Sequence, residues 1–251
     1  MDVITFSAIK GGVGKSSLAI LTANYLGAAG NRVLMIDFDI QNSATFYYLE
    51  DYEAAEGRNL SAALQNNDLP GNIVPGLFVD VIPASLKLVN LRTIATKTFK
   101  RLLPQIQQQY DYVIADTPPT FDNLVLNAIE AADRIVTPVQ LTLFDYKSAV
   151  FYKEQLELET EKAGNWKVLY NRFTEPRTDN PETETNQYLT LFADTFGDHI
   201  LNTRIPDTRQ VQKAIDTKTA VTTAKAKEKL FSAIAELAGE ITGKEYTAEK
   251  F

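Results

Sequence analysis

The apolar run Val3–Ile9 gives way to Lys10-Gly11-Gly12-Val13-Gly14-Lys15-Ser16-Ser17, and a helical pattern, Lys15–Gly27, begins inside that stretch. A strand that passes through a glycine-rich loop straight into a helix belongs to the βα units of an α/β fold. Glycine is required there because a Cβ would block close backbone approach and penalise positive φ. The backbone N–H groups of such a loop converge on one point, and the helix N-terminus adds partial positive charge. The loop is therefore a cradle for phosphate, built from Gly11, Gly12, Val13, Gly14, Lys15, Ser16 and Ser17. Lys15 can reach β- and γ-phosphates, and the Ser16 hydroxyl can ligate Mg²⁺. Lys10 is surplus to an ordinary cradle of this kind.

The rest of the chain repeats the alternation. Strands are expected at Arg32–Asp37, Leu77–Ile82, Tyr112–Asp116, Arg134–Pro138, Lys167–Asn171 and His199–Asn202. Helices are expected at Leu86–Gln108, Asn123–Ala131, Tyr146–Lys162, Pro181–Phe196, Arg209–Thr217 and Ala224–Ile241. Strands apolar on both faces and separated by helices imply a doubly wound, mostly parallel sheet flanked by helices. Connections are short and no Pro/Gly/Ser linker interrupts them, so residues 1–251 read as a single domain. In such sheets ligands bind beyond the carboxyl ends of the strands. The glycine loop, Asp37, Asp39, Asp116 and Asn171 all fall at such ends.

Composition narrows the chemistry. The chain has no cysteine, which excludes disulfides, thiolate metal sites and cysteine-held iron–sulfur clusters. No apolar run reaches membrane-span length and no signal peptide is evident, so the expected compartment is the cytoplasm. The single histidine, His199, is expected to be structural. Hydrolysis of a nucleotide needs a phosphate cradle, a metal, a placed water and charge for the transferring group. Asp116, ending its strand, has the position of a carboxylate behind a Mg²⁺ shell. Asp37 and Asp39, two apart, can divide metal-shell and water-orienting work.

These segments together resemble the ParA/MinD family of P-loop ATPases with a deviant Walker A motif. Lys10 to Ser17 is similar to that motif, Asp37-Phe38-Asp39-Ile40-Gln41-Asn42-Ser43 to the second signature and Asp116-Thr117-Pro118-Pro119 to the third. Pro138-Val139-Gln140 and Ile205 to Ala214 also fit, and the likeness runs from residue 2 to about residue 240. The resemblance implies ATP and Mg²⁺ as cofactors and a homodimer in the ATP state. It implies that Lys10 crosses the dimer interface to the partner's nucleotide, and that Lys15 and Ser16 hold phosphate and magnesium. It gives Asp39 the attacking water, Asp37 and Asp116 the magnesium surroundings, and Asn171 and Pro206 the adenine. Ile40 departs from the family's usual proline, with an expected effect on loop stiffness.

Within the family, the missing cysteines exclude the iron-protein reductases. The last helix lacks the basic amphipathic character of a MinD-type membrane anchor. Net charge is −7, yet residues 81–110 carry Lys87, Arg92, Lys97, Lys100 and Arg101 with no carboxylate. Residues 204–229 carry seven Lys/Arg, among them Arg209, Lys213, Lys225 and Lys227, against three Asp/Glu. Such segregation suits contact with a phosphate backbone. The expectation is a short ParA-like partition ATPase without an N-terminal helix-turn-helix domain. It would bind DNA non-specifically with ATP, associate with the nucleoid, and be released by a ParB-like centromere-binding protein. The alternatives are a MinD-like membrane-surface ATPase and a P-loop enzyme that activates a carboxylate.

Overall fold

The computed structural model describes residues 1–49, 57–176, 178, 180–218 and 228–246. Its strands are β1 (Asp2–Phe6), β2 (Val33–Asp37), β3 (Asp80–Ile82), β4 (Tyr112–Asp116), β5 (Arg134–Val139), β6 (Trp166–Phe173) and β7 (Ile200–Pro206). They form one sheet in the order β3-β2-β4-β1-β5-β6-β7, with every strand pair parallel. β2 and β4 are buried at every position, as their unbroken apolar sequences require for strands covered on both faces.

The helices are α1 (Lys15–Ala28), α2 (Ser43–Tyr48), α3 (Leu60–Asn66), α4 (Thr98–Leu102), α5 (Asn123–Ala131), α6 (Leu143–Glu159), α7 (Glu184–Phe196), α8 (Arg209–Asp216) and α9 (Glu228–Thr242). Side chains alternate across the sheet, so Ile4, Phe6, Val33 and Met35 pack with α1, α2, α8 and α9. Val3, Leu34 and Ile36 point the other way, toward α3, α4 and α5. That second layer continues over β5 and β6, where α5, α6 and α7 enclose Trp166, Tyr152 and Phe192. β1 lies between β4 and β5, so the loop after it opens at the crevice where strand order reverses.

Several sequence-based boundaries are corrected. The helix expected over Leu86–Gln108 is broken into a 3₁₀ segment at Leu86–Leu91, the short α4, and another 3₁₀ turn at Leu103–Gln105 that contains Pro104. Here α5 supplies the hydrogen bonds a continuous helix would have made itself. Asn127 accepts from the Phe99 N–H at 2.9 Å and donates to the Ala95 carbonyl at 3.0 Å. β1 stops at Phe6 rather than Ile9, β3 is only three residues long, and β7 runs on to Pro206. The short helices α2 and α3 were not expected. α9 matches the described part of the helix expected over Ala224–Ile241, whose first residues lie outside the described ones.

Candidate nucleotide site

The loop after β1 takes the conformation its glycines permit. Gly12 has φ +74° and Gly14 φ +95°, both in the left-handed region. Gly14 also marks a close approach, since a Cβ there would lie 2.4 Å from Nδ2 of Asn171. That nitrogen donates to the Val13 carbonyl at 2.7 Å, while Asn171 Oδ1 accepts from the Arg172 N–H at 2.9 Å. Asn171, near the end of β6, thus holds the back of the loop. Pro206 pairs with Phe173 across β6 and β7, beyond Asn171 at the same carboxyl end of the sheet.

Lys15 opens α1 and is buried, its Nζ donating to the Lys10 carbonyl at 3.2 Å. Burial lowers its pKa, against the opposing pull of the Asp116 and Asp39 carboxylates. Asp37 and Asp116 face each other in register across β2 and β4, and neither has any exposed surface. Asp37 accepts from the Thr45 N–H at 2.9 Å, the Thr45 hydroxyl at 2.8 Å and the Asp39 N–H at 2.9 Å. Burial still outweighs these bonds and raises its pKa to about 6. Asp116 is raised well above the carboxylate range, by burial first and then by Asp37, with Ser16 and Lys15 pulling it back. The Ser16 hydroxyl is near enough for that effect without completing a hydrogen bond, so both Asp116 oxygens are buried and unsatisfied.

Asp39 lies in the turn that follows β2, which hydrogen bonds at Asp39 hold in place. Besides the Asp39–Asp37 bond, the Gln41 N–H donates to Asp39 Oδ1 at 3.0 Å and the Asn42 N–H to the Asp39 carbonyl at 2.9 Å. Asn42 sits at φ +57°, which asparagine tolerates better than most residues. The stiffness a proline would lend is supplied by these bonds, and Ile40 instead packs against the core beside α3 and α5.

Lys10 forms an ion pair with Asp145 in the first turn of α6, a contact the sequence reading missed. Asp145 is almost wholly buried, and its Oδ2 also accepts from the Thr142 hydroxyl at 2.5 Å. Thr142 in turn caps α6 by accepting from the Asp145 N–H at 3.2 Å. The available signal was Thr142-Leu143-Phe144-Asp145, an N-cap followed by an acid three residues on. The same cap explains why α6 begins at Leu143 and not at Tyr146.

The residues fit a magnesium nucleotide on two counts. The glycine positions leave a backbone cradle that Cβ atoms would distort, and Asp116 has two buried acceptor oxygens with no donor. Among the described residues no group of three or more His, Cys, Asp or Glu could hold a metal alone.

The two basic regions do not merge within one chain. Arg92, Lys97, Lys100 and Arg101 lie in or beside α4, in the layer that covers β2 and β4, whereas Arg209 and Lys213 are on α8 across the sheet. Arg92 pairs with Asp122 at 3.6 Å and Lys97 with Glu130 at 3.9 Å, so acid from α5 and its cap offsets the first region. Arg209 and Lys213 are exposed. Lys225 and Lys227 lie outside the described residues. His199 donates from Nδ1 to the Trp166 carbonyl at 2.9 Å and lies tilted beside the Trp166 ring, which is a packing role. No helix among the described residues is long and apolar enough to cross a membrane.

A protein-family model, AAA_31, described as an AAA domain, matches residues 1–158. The sporulation initiation inhibitor protein Soj of Bacillus subtilis is 33% identical over 147 residues, covering 55% of this chain and 58% of Soj. The chromosome-partitioning ATPase Soj of Thermus thermophilus is 36% identical over 132 residues, covering 52% of this chain and 51% of that protein. The chain thus spans about half the length of these curated relatives. Among solved structures, a plasmid partition protein of Borrelia burgdorferi bound to AMPPNP superposes with a TM-score of 0.75. It is 26% identical and covers 92% of this chain and 97% of its own.

Proposed function

We propose that this chain, which belongs to the AAA domain family of ParA/MinD-type P-loop ATPases, is an ATP-driven partition switch. It binds ATP with Mg²⁺, pairs with a second copy, grips DNA without reading its sequence, and lets go after hydrolysis. The observation that carries this is the buried trio of Lys15, Asp37 and Asp116 behind a loop with two left-handed glycines. Such a concentration of buried charge is costly in a protein with nothing to bind there.

The bound nucleotide supplies the phosphoanhydride to be cleaved, and the magnesium supplies positive charge beside it. The N–H groups of residues 11 to 17 bind phosphate, and Lys15 balances its charge. The Ser16 hydroxyl, Asp37 and Asp116 would hold the cation and its water. Asp39, fixed by the turn after β2, orients the attacking water and takes up its proton. Lys10 leaves Asp145 and serves the site of the second copy, where a mobile cation stabilises the transferring phosphoryl group as an arginine finger does.

Exposed Arg209 and Lys213 are the better placed of the basic residues for a phosphate backbone, because Arg92 and Lys97 are already paired. Names among the relatives support the partition role, namely the chromosome-partitioning Soj and the plasmid partition protein. The chain would act in the cytoplasm on the nucleoid as one domain, with a ParB-like protein as the partner that triggers release. Filter binding to arbitrary duplex DNA tests it. Retention is expected with Mg-ATP, absent with ADP, and lost in Lys10→Ala and Lys15→Ala; equal retention with ADP would sink the switch.

A further inference from the structure

The outer face of α6 carries three large apolar side chains in the open. Phe144 is 74% exposed, Phe151 48% and Leu158 76%. They recur every seven residues, two helical turns, and so form one stripe about 21 Å long. Tyr152 and Leu156, by contrast, point into the core and pack with Trp166 and Phe192. A helix with a buried seam and a second apolar seam facing water is incomplete by itself.

The polar residues beside the stripe say what completes it. At 100° per residue, Lys147 and Glu154 fall on one flank of the stripe, and Ser148 and Gln155 on the other. Neither the Lys147 nor the Glu154 side chain has an ion pair or hydrogen bond among the described residues, whereas nearby Lys153 and Glu157 pair with each other at 3.8 Å. Two copies of α6 packed antiparallel bring like flanks together, as the g positions meet in antiparallel coiled coils. With Phe151 at the crossing point, Phe144 then meets Leu158 of the other copy. Lys147 comes within one residue of Glu154 of the other copy, twice over by symmetry. Packed parallel, the charged flank would meet Ser148 and Gln155, and both charges would stay unpaired.

We infer that this face of α6 is a docking surface for the same helix of a second copy, packed antiparallel about Phe151. The contact is isologous, so one set of residues supplies both sides. It is separate from pairing through nucleotide and does not depend on the proposed function. Six apolar side chains bury on the order of 800–1,000 Å², at the low end for a specific interface, so association is weak.

Sedimentation equilibrium of the nucleotide-free protein tests this. A monomer–dimer equilibrium in the range of tens of micromolar is expected, with Phe151→Glu weakening it at least tenfold. Lys147→Glu and Glu154→Lys should each weaken it several-fold, and the double exchange should restore it. Retained far-ultraviolet dichroism in each variant separates loss of contact from loss of fold. A protein that stays monomeric at several hundred micromolar overturns the inference. So does a dimer indifferent to Phe151→Glu, or a double exchange that fails to restore association.

Discussion

Asp37 and Asp116 stand in register on neighbouring strands, and burial raises both pKa values. A carboxyl raised in the folded state favours folding while it is protonated. That contribution is complete below the unfolded value of about 4 and is lost as pH rises through the folded one. With Asp37 at about 6, its carboxyl alone should cost ligand-free protein about 1.4 kcal/mol between pH 5 and pH 8. Asp116→Asn removes one of the two charges and should flatten that loss, as urea midpoints across this range would show. Lys10 is a different case, because its partner is buried while it is about one-third exposed. Lys10→Ala leaves Asp145 with only the Thr142 hydroxyl, and should cost about 1–2 kcal/mol in the same urea assay, discounted for exposure. The loop residues, both carboxylates and Lys10 were singled out because each type suits a phosphate site, and the fold gathers them at the carboxyl end of the sheet. Asp145 was not, since its partner lies 135 residues away and only the folded sheet joins them.

At the scale of elements, the loop after β1 and the end of β6 behave as one part. Gly14→Ala forces a Cβ to within 2.4 Å of the Asn171 amide at a φ that alanine tolerates poorly. It is expected to weaken nucleotide binding at least tenfold, measured by isothermal titration calorimetry, while Asn171→Ala alone costs less. The start of α6 is the other working part. Asp145→Asn keeps the shape of the cap but releases Lys10, and should raise ATP-dependent association seen by light scattering. No change would mean that the ion pair does not restrain Lys10. The long strands were legible because apolar, β-branched runs buried on both faces have few other readings. Leu86–Gln108 was misread because its hydrogen bonds go to Asn127 of α5, a partner its own sequence does not contain. α2 and α3 were missed because six or seven residues are too few for a period to declare itself.

The molecule as a whole is acidic with basic spots on two opposite layers, a distribution invisible until the sheet separates α4 from α8. If α8 meets DNA, Arg209→Glu and Lys213→Glu should each reduce retention and flatten its salt dependence. Arg92→Glu should do so less, because Asp122 already holds Arg92. Filter binding over a salt series measures both. The direction of α6 settles a larger matter. The helix starts at the carboxyl end of the strands, where the nucleotide loop lies, and runs back toward their amino end. Two copies joined antiparallel through it therefore turn their nucleotide ends outward, one at each end. Helix-joined pairs linked to one another through those ends would make a line whose two ends are identical. Such a line has no front and no back, so direction in any transport would have to come from where copies attach and leave, not from the line itself.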